Sequence, residues 1–166
     1  MRISGRAHKY GDDVNTDVIY PGKYTYMQLS PDQMAQHAME DIDPEFHKKV
    51  KPGDVIVAGK NFGCGSSREQ AASCLKYAGI EAIIAKSFSR IFFRNAINFG
   101  LLAIAHPEAA DFIHDGDEVE IDRKAGIIRV RGKEFKFPPY PELVEGILDA
   151  GGLMPYLERK LSAQAR

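Results

Sequence analysis

Three short apolar runs, Val55-Ile56-Val57-Ala58, Ala82-Ile83-Ile84-Ala85 and Leu101-Leu102-Ala103-Ile104-Ala105, constrain this chain more than any other feature of its sequence. None alternates apolar with polar residues, so each predicts a buried strand. Between them the period changes. Ala71, Cys74, Leu75 and Ala78 fall on one helical face before a stop at Gly79, and Ile91-Phe92-Phe93-Arg94-Asn95-Ala96-Ile97-Asn98 predicts a second helix ended by Gly100. The resulting order, β-α-β-α-β, predicts parallel strands joined by right-handed crossovers, with helices covering the sheet and ligands gathering at the C-terminal strand ends.

After this parallel core, residues 118–122 and 127–131 flank Arg123-Lys124-Ala125-Gly126, which predicts an added antiparallel hairpin. Residues 141–150 and 154–161 predict closing helices around Gly151-Gly152. Residues 16–30 contain Pro21-Gly22 and three tyrosines but no sustained period, and predict a long loop of the kind that often carries function. The chain of 166 residues suits a single α/β domain, residues 1–166.

Charge excludes some partners. Lys plus Arg number 22 against 23 for Asp plus Glu, so no overall positive field recruits a nucleic acid or an anionic membrane. No stretch approaches the roughly 20 apolar residues of a membrane helix, and Met1-Arg2-Ile3-Ser4-Gly5 is unlike a signal peptide, so a cytoplasmic protein is expected. Cys64 and Cys74 are the only cysteines and form no C-x-x-C pair, so no metal or cluster site is expected within this chain. Cys74 is expected as a small core residue and Cys64 as a loop residue. The five histidines, His8, His37, His47, His106 and His114, lack ligand spacing and predict surface or helix-end roles; Phe62, Phe88, Phe92 and Phe93 predict core.

Chemistry concentrates in Gly63-Cys64-Gly65-Ser66-Ser67-Arg68-Glu69, where a glycine turn runs into a helix start. Ser66 and Glu69 have the spacing of a capping box. Gly63 and Gly65 let a ligand approach the backbone, free N–H groups and the helix dipole favour negative charge, and the Arg68 fork matches a carboxylate or phosphate. The expected result is an anion site. The run lacks the Gly-Lys-[Ser/Thr] end of a phosphate-binding loop and has Arg68 where a dinucleotide fingerprint needs glycine.

The stretch Gly59-Lys60-Asn61-Phe62-Gly63-Cys64-Gly65-Ser66-Ser67-Arg68-Glu69-Gln70-Ala71 resembles the signature of the aconitase swivelling domain and of the small subunits of isopropylmalate dehydratase and homoaconitase. The segments Asp12-Asp13-Val14-Asn15-Thr16-Asp17-Val18-Ile19-Tyr20-Pro21-Gly22 and Ala85-Lys86-Ser87-Phe88-Ser89-Arg90-Ile91-Phe92-Phe93-Arg94-Asn95-Ala96-Ile97-Asn98 agree, in the same order. This resemblance implies a swivelling β/β/α domain that docks on a large subunit, as a heterodimer or heterotetramer, and acts as a hydro-lyase on a malate-type substrate in leucine biosynthesis. It implies a [4Fe–4S] cluster held by that large subunit. By match to the motif, Ser66 is the catalytic base, Ser67 and Arg68 hold the substrate carboxylate, and Asp17 supports the site together with Gly63 and Gly65. Lys86, Arg90 and Arg94 match the pattern in structural or interface roles.

The loop after Pro21-Gly22 is expected to contact the substrate's variable group through Tyr24 and Tyr26. In homoaconitase-like small subunits it resembles Tyr-Leu-Arg-Thr, whereas the matching run is Tyr24-Thr25-Tyr26-Met27, so Tyr26 stands at the arginine position. Burying an unpaired carboxylate costs several kcal/mol, which favours an apolar substituent such as isopropyl. Homoaconitate and other branched malates remain alternatives, as does a noncatalytic anion-binding module using the same helix start.

Overall fold

The computed structural model describes residues 2–165, and its elements run as follows. The order is β1 (Arg2–Lys9), α1 (Thr16–Ile19), a 3-10 turn (Gly22–Tyr24), α2 (Pro31–His37), α3 (Phe46–Lys49), β2 (Val55–Ala58) and α4 (Glu69–Tyr77). Then come β3 (Ala82–Ala85), α5 (Arg90–Asn98), β4 (Leu102–Ala105), α6 (Pro107–Phe112), β5 (Glu118–Asp122), β6 (Ile127–Val130), β7 (Lys133–Lys136), α7 (Glu142–Ala150) and α8 (Leu153–Gln164). The strands form one mixed sheet in the order β4-β3-β2-β1-β5-β6-β7.

The three apolar runs are β2, β3 and β4, paired in parallel, and the segments between them are α4 and α5. Alternate residues of these strands enter different cores. Val55, Val57, Ala82, Ile84, Leu102 and Ile104 pack with α6 and α7, while Ile56, Ala58, Ile83, Ala85 and Ala103 pack with α1, α4 and α5. Both faces of the parallel half are therefore covered, which is why its strands are apolar throughout. The antiparallel half has one wet face: Val119, Ile121, Ile128, Val130 and Phe135 point into the first core, while Arg2 and Arg129 pair with Glu120, Asp122 and Glu134 outside.

The expected β5–β6 hairpin is present, and β7 extends it. At the opposite margin the Tyr140 hydroxyl donates to the carbonyl of Ala103 on β4. Arg123 lies in the expected turn, yet its side chain is buried, facing Glu145 and Asp149 of α7 and fastening that helix beneath the hairpin. Residues 16–30 are less irregular than their sequence suggests, since α1 and the 3-10 turn each make a single turn there.

β1 was not legible in the sequence, yet it is the central strand. It pairs in parallel with β2 and antiparallel with β5. Near its C-terminal end His8 departs from the surface or helix-end role expected of it: it is buried, edge-on to Phe46, with Nε2 2.8 Å from Asp54 Oδ2. Asp54 also accepts from the backbone N–H groups of Arg6 and Lys51, each at 3.0 Å. Burial disfavours its ionised carboxylate, but these three donors outweigh that and hold its pKa below the usual range.

A carboxyl group with a depressed pKa contributes stability above its unfolded value and loses it as pH falls through the folded value. Asp54→Asn, which leaves one carbonyl oxygen for three donors, is expected to cost about 1–3 kcal/mol at pH 7 in urea denaturation. The deficit should shrink below roughly pH 4, the unfolded range of the carboxyl group. A deficit independent of pH would mean that the Asp54 charge does not contribute.

Candidate functional site

Two loops leave the C-terminal ends of β2 and β3 and continue to pair beyond the sheet. Lys86 N–H donates to the Gly59 carbonyl, Phe62 N–H to Ser87 and Ser89 N–H to Phe62, each at 3.0 Å. Phe62 is fully buried beneath them, with ring centroids 5.2 Å from Phe92 and 6.1 Å from Phe88; Phe62 and Phe92 are core as expected, and Phe88 and Phe93 are half-buried against it. The segment before α1 joins from the other side: Gly63 N–H donates to the Val14 carbonyl and Thr16 N–H to the Cys64 carbonyl, both at 2.8 Å.

The turn of residues 63–68 is held by this frame. Gly63 has φ +81, and a Cβ there would run into the Phe92 ring; Gly65 has φ +94, with its nearest neighbours at an ordinary 3.5 Å. Thr16 Oγ1 donates to the Ser66 carbonyl at 2.8 Å, fixing the backbone while the Ser66 and Ser67 side chains stand exposed. The expected capping box is absent. α4 opens at Glu69 with Arg68 as its N-cap, in extended conformation and with no side-chain cap bond. The reason is that the grip of Thr16 and the turn at Gly65 keep Ser66 outside the helix, where it cannot serve as the cap.

Two consequences favour anion binding. Among the described residues, no N–H from Gly65 to Gln70 donates to a backbone acceptor, which leaves these donors without backbone partners at the positive end of a nine-residue helix. Arg68 is also pinned beside them: Nη1 donates to the Tyr20 carbonyl at 3.2 Å and to Thr25 Oγ1 at 3.3 Å, and Nη2 pairs with Asp17. A narrow cleft separates Gly65, Ser66, Ser67 and Arg68 from Ser89, Ile91 and Asn95 of the α5 region. Roomier hollows lie over β5–β6 and along α8, and neither includes a residue of this turn.

The structure thus brings together Ser66, Ser67, Arg68, Asp17, Gly63 and Gly65. It does not bring the two loop tyrosines into that cleft. Tyr26 is 97% exposed, and Tyr24 lies stacked against His37 of α2 at 3.9 Å between ring centroids. Thr16, Thr25 and the carbonyl of Tyr20 were missed in the sequence, as was the contribution of α5. The latter was recoverable, because α5 follows β3 as α4 follows β2, and neighbouring parallel strands place their following helices side by side.

Lys86 pairs with Asp111 at 2.8 Å, while Arg90 and Arg94 are exposed on α5. Among the described residues no group of three or more His, Cys, Asp or Glu is arranged to hold a metal. Cys64 is half-buried in the loop, and Cys74 is sealed within α4, where burial pushes its thiol pKa upward, so the two do not fit the ligand set of a cluster.

The sequence matches the family model of the aconitase C-terminal domain over residues 11–109. It is 50% identical to the 3-isopropylmalate dehydratase small subunit of Caldicellulosiruptor bescii, covering 99% of this chain and 100% of that protein. It is also 50% identical to the small subunit of the same name from Aquifex aeolicus, covering 99% of each. The crystal structure of 3-isopropylmalate dehydratase (LeuD) from Methanocaldococcus jannaschii superposes with a TM-score of 0.93 at 53% identity, covering 99% of this chain and 98% of that one.

The geometry distinguishes the two glycines of the turn. Gly65→Ala should cost about 1–3 kcal/mol from backbone strain alone, and Gly63→Ala clearly more, because its methyl group also displaces the Phe92 ring. Chemical denaturation of both variants measures the difference, and equal losses would show that Phe92 does not set the requirement at Gly63.

Proposed function

Because the chain belongs to the aconitase C-terminal domain family, and within it to the 3-isopropylmalate dehydratase small subunits, we propose that it works with a large subunit to interconvert 2-isopropylmalate and 3-isopropylmalate. The observation that carries this reading is half identity along the full lengths of both this chain and its relatives. The reaction is a dehydration followed by rehydration, a step of leucine biosynthesis. Among the described residues no helix is long and apolar enough to cross a membrane, and the cytoplasm is the proposed location. The [4Fe–4S] cluster falls to the large subunit, and the roles below belong to this chain alone.

Ser66 is assigned as the base that takes the proton from the carbon beside a substrate carboxylate, and returns it on rehydration. A serine hydroxyl is far too weak a base unaided, so its alkoxide needs donors and positive charge in a site from which water is excluded. The unsatisfied N–H groups of residues 65–70, the α4 dipole and Arg68 supply both. Arg68, with Ser67, holds the carboxylate: its Nη groups are already oriented by Asp17, Tyr20 and Thr25, so little side-chain freedom is lost on binding. The cleft in this chain is too narrow to hold a substrate by itself, which fits a site completed by the large subunit.

Tyr26 is assigned to the substrate's variable group, its exposed ring offering apolar contact once the subunits close. The test is reconstitution with the large subunit and assay on isopropylmalate. Ser66→Ala should abolish turnover while leaving subunit association and the melting temperature nearly unchanged, since Ser66 caps no helix. Near-normal kcat would remove Ser66 from the base role. Tyr26→Arg should lower kcat/KM for isopropylmalate and raise it for homoaconitate; a parallel fall on both would indicate damage to the loop rather than a change of specificity.

A further inference from the structure

Tyr24 and its neighbours form a cluster that the reaction does not itself require. The Tyr24 ring stacks on His37 with centroids 3.9 Å apart and planes 18° from parallel, and lies 5.9 Å from the Tyr20 ring. His37 Nδ1 is 2.8 Å from Glu40 Oε2, and since an ionised carboxylate only accepts, that nitrogen donates. Lys23 Nζ stands 3.8 Å from the other Glu40 oxygen and 5.2 Å from the centre of the Tyr24 ring. Burial works against the Glu40 charge, but the hydrogen bond from His37, with the Tyr24 hydroxyl and Lys23 nearby, holds its carboxyl below the usual range. A tyrosine engaged on one side by α2 in this way is poorly placed to face a substrate.

Two residues next to this stack, Tyr20 and Thr25, share with Asp17 the grip on Arg68. Thr25 follows Tyr24 in the chain and accepts from Arg68 Nη1, its carbonyl accepts from Gln70 Nε2 at 3.5 Å, and the Tyr20 carbonyl takes the remaining Nη1 hydrogen bond. Independently, Met39 N–H donates to the Ile19 carbonyl at 2.8 Å, tying the segment after α2 to the end of α1. The geometry points to Tyr24 as a positioning residue: stacked on His37, it fixes the loop so that Thr25 and Tyr20 hold the Arg68 guanidinium in the attitude that receives the substrate carboxylate. This rests on the reading that Arg68 binds that carboxylate.

The test is a double-mutant cycle on the complex with the large subunit. An Arg68 that holds the carboxylate equally in ground and transition states affects KM more than kcat. Tyr24→Leu and Thr25→Val should therefore each raise KM, the former about tenfold, with kcat within about twofold. Tyr24→Phe, which keeps the stack, should restore KM to within about threefold of the parent. The Tyr24→Leu/Thr25→Val double variant should be no worse than the poorer single, because both act through the same guanidinium. Should Tyr24→Leu fail to fold, His37→Ala removes the stack from the α2 side and should raise KM likewise.

The proposal is overturned if Tyr24→Phe is as poor as Tyr24→Leu, since the hydroxyl and not the stack would then carry the effect. It is equally overturned if the two single effects multiply, or if KM does not move on removing the stack. The parent complex separates this from the proposed activity. If it ignores isopropylmalate but turns over another substituted malate, the assignment of substrate fails, and the cycle run on that malate still decides the role of Tyr24.

Discussion

A strand that pairs in both senses organises this molecule. β1 offers one edge to β2 in parallel and the other to β5 in antiparallel, so two half-sheets with different connection rules share a member. Parallel strands need long crossovers and antiparallel ones accept tight turns, which is why helices crowd the first half and the second is a compact ribbon. The His8–Asp54 contact lies at this junction. Asp54 precedes β2 and binds the backbone of β1 at Arg6, so the charge that ties the two strands together also fixes where the second begins.

Register fixed at β1 carries through to the site. β2 and β3 end level with one another, Ala58 opposite Ala85, and their loops remain hydrogen-bonded as far as Phe62 and Ser89. The turn of residues 63–68 is consequently anchored from three directions: by the β3 loop, by residues 14–16 and by the Phe62 ring below. Anchoring at the backbone leaves the side chains of Ser66 and Ser67 exposed and the first N–H groups of α4 without backbone partners, an arrangement with high potential for negative charge and little freedom to adapt.

The parallel core was legible because burial on both faces demands uninterrupted apolar residues, and few other contexts do. β1 was hidden for the opposite reason: in Arg2–Lys9 only Ile3 and Ala7 meet the first core, and the charged and small residues between them give no clear alternation. The glycine turn, Arg68 and Asp17 were legible as a set from motif and chemistry. The capping box was not a safe inference, since its spacing specifies two partners but not where the helix starts, and here Arg68 occupies the cap while its guanidinium is used elsewhere. His8 shows the same limit: ligand spacing addresses metals, whereas a buried histidine needs only one acceptor, which lay 46 residues away. The Tyr24 stack likewise depends on α2 folding back over the loop, a tertiary event with no local signature.

The margins of the sheet bear on how such a chain survives while it is unassembled. An open sheet edge offers backbone donors and acceptors to any passing strand, and long apolar edges lead to polymerisation. Here the outer strand of the apolar half, β4, is occupied at Ala103 by the Tyr140 hydroxyl. The outer strand of the other half, β7, is short and carries Lys133, Glu134 and Lys136, whose charges would be desolvated if a second strand were added. Both margins of the sheet are in this way made poor templates for a strand from a second copy of the chain.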